Sequence, residues 1–135
     1  MRPLLFTGKT INGNKWIIGK YKEEIDDNDN ITYRIYDRNF DCEVRPETIC
    51  QYTGSRDVNN RGIYEGDILI TNTTSMEIKV IVQWNEEDAC FELVYENGVR
   101  YGEFKKSKVS NWHVIGNIHD ANLKFNVSEE IKINE

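Results

Sequence analysis

Period-two alternation, interrupted every ten or so residues by turn signals, constrains this chain more than any other feature. The longest instance is "MEIKVIVQW" (76–84). Met76, Ile78, Val80, Val82 and Trp84 fall on one side of an extended segment, and Glu77, Lys79, Ile81 and Gln83 on the other. "ITYRIYDR" (31–38) alternates as cleanly, and "CFELVYENG" sets Phe91, Leu93 and Tyr95 against Cys90, Glu92 and Val94. It closes on Asn97-Gly98, a pair that adopts the positive φ of a tight hairpin at little cost. "VRYGEF" and "NWHVIGNIH" supply two further strand candidates. Helical periodicity is nearly absent. From residue 64 to 120 the spacing predicts a small barrel or sandwich.

The N-terminal part reads the same way. Residues 4–11 and 15–21 are predicted as two short strands around Asn12-Gly13. "KEEIDDNDN" (22–30) carries five acids. A calcium loop needs ligands at fixed offsets and a central glycine, which this stretch lacks, so it is expected to be a solvated loop. Pro46 keeps Arg45 extended and marks a corner, after which "PETICQ" makes one helical turn or continues extended. The tail, residues 121–135, has no assignment; its "SEEIKI" suits a short helix or an edge strand.

Charge narrows the function classes. The formal net charge is −6, and nucleic-acid binders rely on phosphate neutralisation by basic side chains. Lys105, Lys106 and Lys108 form the best local basic patch, and a solvated turn or strand accounts for them. Cys42, Cys50 and Cys90 contain no C-x-x-C pair, which argues against a zinc site. The odd count and the absence of a recognisable leader or apolar span point to the cytoplasm of the host cell. "NTT" at Asn72 and "NVS" at Asn126 match the glycosylation pattern but carry no meaning without secretion.

"GIYEGDILI" (62–70) is the most patterned stretch. Gly66 permits a sharp bend and Asp67 is placed to accept backbone N–H groups at a corner. Ile68 and Ile70 are then expected to face the core, with Leu69 outward or against a second layer, and Tyr64 beside them. Glu65 and Asp67 would share a face if both were in a strand, but one pair among 23 acids is a poor basis for carboxylate catalysis. His113, His119 and Asp120 are the nearest thing to a metal set, and Ser110, His113 and Asp120 to a triad. Neither has a supporting motif. The sequence therefore assigns no catalytic residue, metal or cofactor.

Several of these pieces occur in a specific order: Pro46-Glu47-Thr48, Gln51-Tyr52-Thr53-Gly54, a polar turn, Ile63-Tyr64-Glu65-Gly66-Asp67, and Ile115-Gly116-Asn117-Ile118. With the opening "FTGKTINGNKWIIG", this series resembles the YopX family of phage- and prophage-encoded proteins over nearly the whole chain. Two positions depart from the family pattern. Cys50 stands where a small residue is common, and "HDANL" where an Asn-Pro pair follows the last motif. The resemblance implies an SH3-type barrel core and a phage setting, and no reaction.

The expectation is a mainly-β protein with little helix. Residues 1–50 would supply N-terminal strands packed on an SH3-like barrel core at 51–120, with 121–135 as a tail. The expected role is non-catalytic: binding a protein partner, or itself, through a strand edge or an aromatic strip that includes Tyr52, Tyr64, Trp84 and Trp112. A nucleic-acid-binding small barrel and an enzyme with an unrecognised site are the alternatives. The acidic balance counts against the former, and no membrane association is expected.

Overall fold

A computed structural model describes residues 4–71 and 77–120. The described residues form antiparallel sheets in two units, with the boundary between Gly54 and Ser55.

The first unit holds β1 (Phe6–Lys9), β2 (Trp16–Ile25), β3 (Ile31–Tyr36), β4 (Asp41–Glu43) and the first part of β5 (Cys50–Arg56). Their spatial order is β4-β3-β2-β1-β5. The β1–β2 turn uses Gly13 at φ 91° and Asn14 at φ 51°, as Asn-Gly turn chemistry predicts. One expectation needs correction here. Lys22, Glu23, Glu24 and Ile25 are strand, paired with Arg34, Tyr33, Thr32 and Ile31. Alternating sides let the acids sit in a strand: Lys22, Glu24, Arg34 and Asp41 share one face as ion pairs, at 2.6 Å for Arg34–Asp41 and 2.8 Å for Lys22–Asp41. The loop shrinks to residues 26–30, where Asp26 Oδ1 accepts from the N–H groups of Asn28 and Asn30. Ile35 and Val44 form the buried apolar centre of this unit. Gly19 is required where it stands, since a Cβ there would lie 2.5 Å from the carbonyl oxygen of Tyr36. Arg45 is extended before Pro46, and Pro46–Thr48 make a single 3-10 turn.

The second unit contains the end of β5, β6 (Gly62–Tyr64), β7 (Asp67–Ile70), β8 (Lys79–Asn85), β9 (Cys90–Val94), β10 (Arg100–Glu103), α1 (Lys106–Val109) and β11 (His113–Asn117). Five of these strands form a sheet in the order β10-β9-β8-β7-β11. The chain runs as a four-strand meander, makes one helical turn, and returns beside its first strand.

The mainly-β expectation is met, but among the described residues this sheet is not closed: β10 and β11 are its edges. Both edge ladders are interrupted by register shifts, between Arg100 and Gly102 and between Val114 and Gly116. Such bulges twist an edge away from further pairing. The lysine segment is the helical turn α1 rather than a simple turn or strand, because Val109 is drawn fully into the core.

That core comprises Ile63, Leu69, Val80, Val82, Leu93, Val109, Trp112 and Val114. Val80 and Val82 face it as their alternation predicts; Met76 and the two glycosylation-like motifs lie outside the described residues, as does the tail. Leu69, expected to face outward or against a second layer, belongs to this core. Ile68 is buried apart from that cluster, and Ile70 is only half-buried. Asp67 is buried, and residues two apart share a face, so an inward Asp67 carries Leu69 inward with it.

Candidate functional site

The patterned corner and the end of β11 form a buried polar cluster in the second unit. Gly66 adopts φ 87°, donates its N–H to the Val82 carbonyl at 2.8 Å and accepts from the Ile118 N–H at 2.9 Å. The left-handed backbone that glycine tolerates thus turns β6 into β7 while tying the corner to β8 and to the end of β11. Asp67 Oδ2 accepts the Tyr64 N–H at 2.8 Å, and Oδ1 accepts from Asn117 Nδ2 at 3.0 Å.

Asn117 is the reciprocal half. Its Nδ2 also donates to the Glu65 carbonyl at 3.2 Å, its Oδ1 accepts the His119 N–H, and its own N–H donates to Asp120 Oδ2 at 2.8 Å. The register shift in β11 makes this possible. Without it, Val114 and Asn117, three residues apart, would face opposite ways; the shift brings Asn117 opposite Asp67 while Val114 stays opposite Leu69.

A second buried carboxylate holds the other end of β11. Asp57 Oδ1 accepts the N–H groups of Asn59 and Arg61, and Oδ2 accepts the Val114 N–H at 2.9 Å. The Val58 N–H donates to the Trp112 carbonyl, and Asn59 Nδ2 lies 3.1 Å from His113 Nδ1. Segment 57–67 therefore grips β11 at both ends, with one aspartate at each.

The two acids, both nearly inaccessible to solvent, shift in opposite directions because Asp67 lies the deeper among protein atoms and Asp57 accepts more backbone N–H groups. Burial pushes Asp57 up, but the backbone N–H groups of Val114, Arg61 and Asn59 outweigh it and hold the carboxyl below its ordinary value. Burial also pushes Asp67 up, and here it wins: the Asn117 amide and Tyr64 N–H offset only part of it, and the pKa rises from 3.8 to about 6.

The residues singled out in the sequence separate in this setting. Glu65 lies in the turn rather than in a strand, so period-two geometry does not pair it with Asp67. His113 is on β11 beside Asn59, whereas His119 and Asp120 are in the turn that follows, where Asp120 holds the Asn117 N–H. Among the described residues, no group of three His, Cys, Asp or Glu side chains is arranged to hold a metal ion. Cys42, Cys50 and Cys90 form no disulfide with one another, and Cys50 Sγ donates to the Thr48 carbonyl at 3.3 Å.

Of the four aromatic candidates, Tyr52 and Trp112 are buried, and Tyr64 and Trp84 are half-buried. Trp84 meets Phe91 edge-on with centroids 5.0 Å apart. Asp57 was legible only as part of a polar turn. The signal for more was present, an aspartate two residues before Asn59, which is the pattern of a side chain accepting its own downstream backbone. Among the described residues, no helix is long and apolar enough to cross a membrane.

A family model described as "YopX protein" matches residues 5–123. No curated protein matches the chain.

Proposed function

This chain belongs to the YopX family, and from that premise we propose that it is a non-catalytic protein-interaction module of a phage or prophage, acting in the cytoplasm of its host. One observation carries the reading. Asp67 and Asn117 of the family-like motifs, with Asp120 just beyond the last of them, are engaged in holding the backbone of a corner. A carboxylate held by a backbone N–H and a buried amide is a fold-specifying group.

Two pairs of exposed apolar side chains stand at hairpin ends, Ile25 and Ile31 on β2–β3 and Tyr95 and Val99 on β9–β10, while others such as Leu4, Ile18 and Ile115 are exposed singly elsewhere. Isolated exposed apolar residues are ordinary, but paired ones flanked by charge are the composition of an interface rim. The strand edges are a weaker candidate, because β4 has three residues and β10 and β11 are bulged.

The strand order also supports a finer fold reading. A meander whose fifth strand returns beside the first has SH3-type connectivity, here as a barrel open between β10 and β11.

The test is affinity capture from infected or lysogenic host cells with the wild-type chain and with Ile25→Ser and Val99→Ser variants. Retention of a specific protein, lost with one variant, is expected. Turnover of a substrate by the purified chain, abolished by Asp67→Asn without loss of folding, would overturn the reading.

A further inference from the structure

The outermost strands are short or bulged, but one flank of β2 in the first unit is long and open. β2 runs for ten residues, whereas β1 has four and pairs only with Trp16, Ile17, Ile18 and Gly19. Leu4, which extended backbone would bring opposite Tyr21, is not strand and stands 66% exposed. Among the described residues, nothing pairs with this side of β2 from Lys20 to Ile25, while β3 pairs with its other side throughout that span.

The direction of the backbone groups follows from the ladder. The Val44 N–H donates to the Tyr33 carbonyl, so Tyr33 turns its backbone groups away from β2. Its cross-strand partner Glu23 then turns its own away from β3, and so do Tyr21 and Ile25, two positions to either side. The Asp26 N–H, which donates to the Asn30 carbonyl, fits the same alternation. Tyr21, Glu23 and Ile25 therefore present N–H and carbonyl groups in a row, on a strand with no proline and no register shift. Such a row is a template for another strand.

We infer that this flank of β2 pairs antiparallel with the same flank of a second copy of the chain, about a two-fold axis at Glu23. The inference rests on the interaction-module reading and names its partner. The row is symmetric about Glu23, so each outward N–H and carbonyl of one copy meets its complement in the other. This register sets Tyr21 against Ile25 of the other copy and Lys22 against Glu24. Tyr21 then covers Ile25, which is 64% exposed. Lys22 and Glu24 already stand 3.1 Å apart within the chain, and their pairing across the axis extends an ion network that includes Arg34 and Asp41. An axis at Lys22 would instead set Ile25 against Gly19, which β1 already holds, and one at Glu24 would set Tyr21 against Asp27 in the turn. One contact opposes the pairing: Glu23 faces Glu23, although the Tyr21 hydroxyl donates to its Oε2 at 2.7 Å. The contact joins one surface to itself and uses up the open flank, so assembly closes at a dimer.

Sedimentation velocity on the full chain across a concentration series is expected to show a dimer growing in with concentration. Glu23→Pro removes an outward N–H and no bond within the hairpin, so it should weaken the dimer by at least about tenfold. Glu23→Gln relieves the like-charge contact and should tighten it by about two- to fivefold. A merely structural role does not produce opposite effects at one position. Near-UV circular dichroism checks that each variant is folded. A second measurement reads the register without proline. In a Cys42→Ser, Cys90→Ser background that keeps buried Cys50, Glu23→Cys should cross-link two copies on mild oxidation, because directly opposed Cα atoms lie about 5.5 Å apart. Lys22→Cys, which faces Glu24, should not.

A single-chain mass at every concentration overturns the inference, and so does a dimer that neither responds to Glu23→Pro nor cross-links through position 23. A single-chain mass combined with specific capture of another protein overturns it and leaves the module reading standing. No dimer and no capture removes both.

Discussion

Replacing Asp67 by asparagine separates the two things this side chain does: it accepts two hydrogen bonds, and it carries a buried charge. Its pKa rises from 3.8 in the unfolded chain to about 6 in the fold. The folded protein therefore takes up a proton before the unfolded chain does, and stability from this group is fully present below the unfolded value and lost as pH rises through about 6. Asp67 is 6% exposed, so solvent screening removes little of the effect. A shift of two units at about 1.4 kcal/mol each corresponds to about 3 kcal/mol between pH 4 and pH 7.5.

The neighbouring charges act in opposite directions, Arg61 favouring the carboxylate and Asp120 opposing it. Asp57, Asp26 and Asp41 are held below 3.8, so their contributions disappear only in more acid solution and do not overlap this window. In Asp67→Asn the charge is gone, but one oxygen is replaced by an NH2 group facing either the Tyr64 N–H or the Asn117 amide. That mismatch costs about 1–3 kcal/mol at any pH.

The assay is urea unfolding followed by fluorescence in a Trp16→Phe background, where Trp84 and Trp112 both report on the second unit. The wild type should gain about 3 kcal/mol relative to Asp67→Asn on going from pH 7.5 to pH 4, leaving the variant near neutral at the upper end and clearly weaker at the lower. A difference that is flat across this range would refute the argument that burial dominates at Asp67. So would one that grows toward neutral pH.

The other predictions use the same chemistry. Asn117→Ala removes the hydrogen bonds to the Glu65 carbonyl, Asp67 Oδ1 and the His119 N–H together, and should cost about 2–4 kcal/mol in the same unfolding assay. Gly66→Ala places a methyl 3.1 Å from Asn117 Nδ2 on a backbone at φ 87°, so a loss of about 1–3 kcal/mol is expected. Leu69→Ala should cost about 2–5 kcal/mol as a core truncation, and half-buried Ile70→Ala clearly less; the reverse order would reject the observed parity of β7. Gly19→Ala should destabilise the first unit, read from Trp16, because the obstructing atom is a backbone carbonyl that cannot move aside.

Much of this molecule was legible before its coordinates, for a local reason. Alternation, Asn-Gly pairs and proline placement act within a few residues, so strands β3, β8 and β9 and the turns at Gly13 and Gly98 could be read directly. The bend at Gly66 and the acceptor role of Asp67 were equally local. Tertiary structure alone decided which face of each strand is buried and who answers a polar group across the chain. Period two says that Asp67 and Leu69 share a side, but not that the side is inward; the partner that draws Asp67 in is Asn117, 50 positions away, aimed there by a register shift in β11. The same holds for Tyr52 and Trp112, whose size suited a surface strip as well as a core. It holds for Glu23 and Glu24, which became strand because β3 pairs with them and Arg34 and Asp41 arrived beside Lys22 and Glu24. Local backbone preferences are fixed by each residue and its neighbours, whereas burial and long-range hydrogen bonding exist only once distant segments have met.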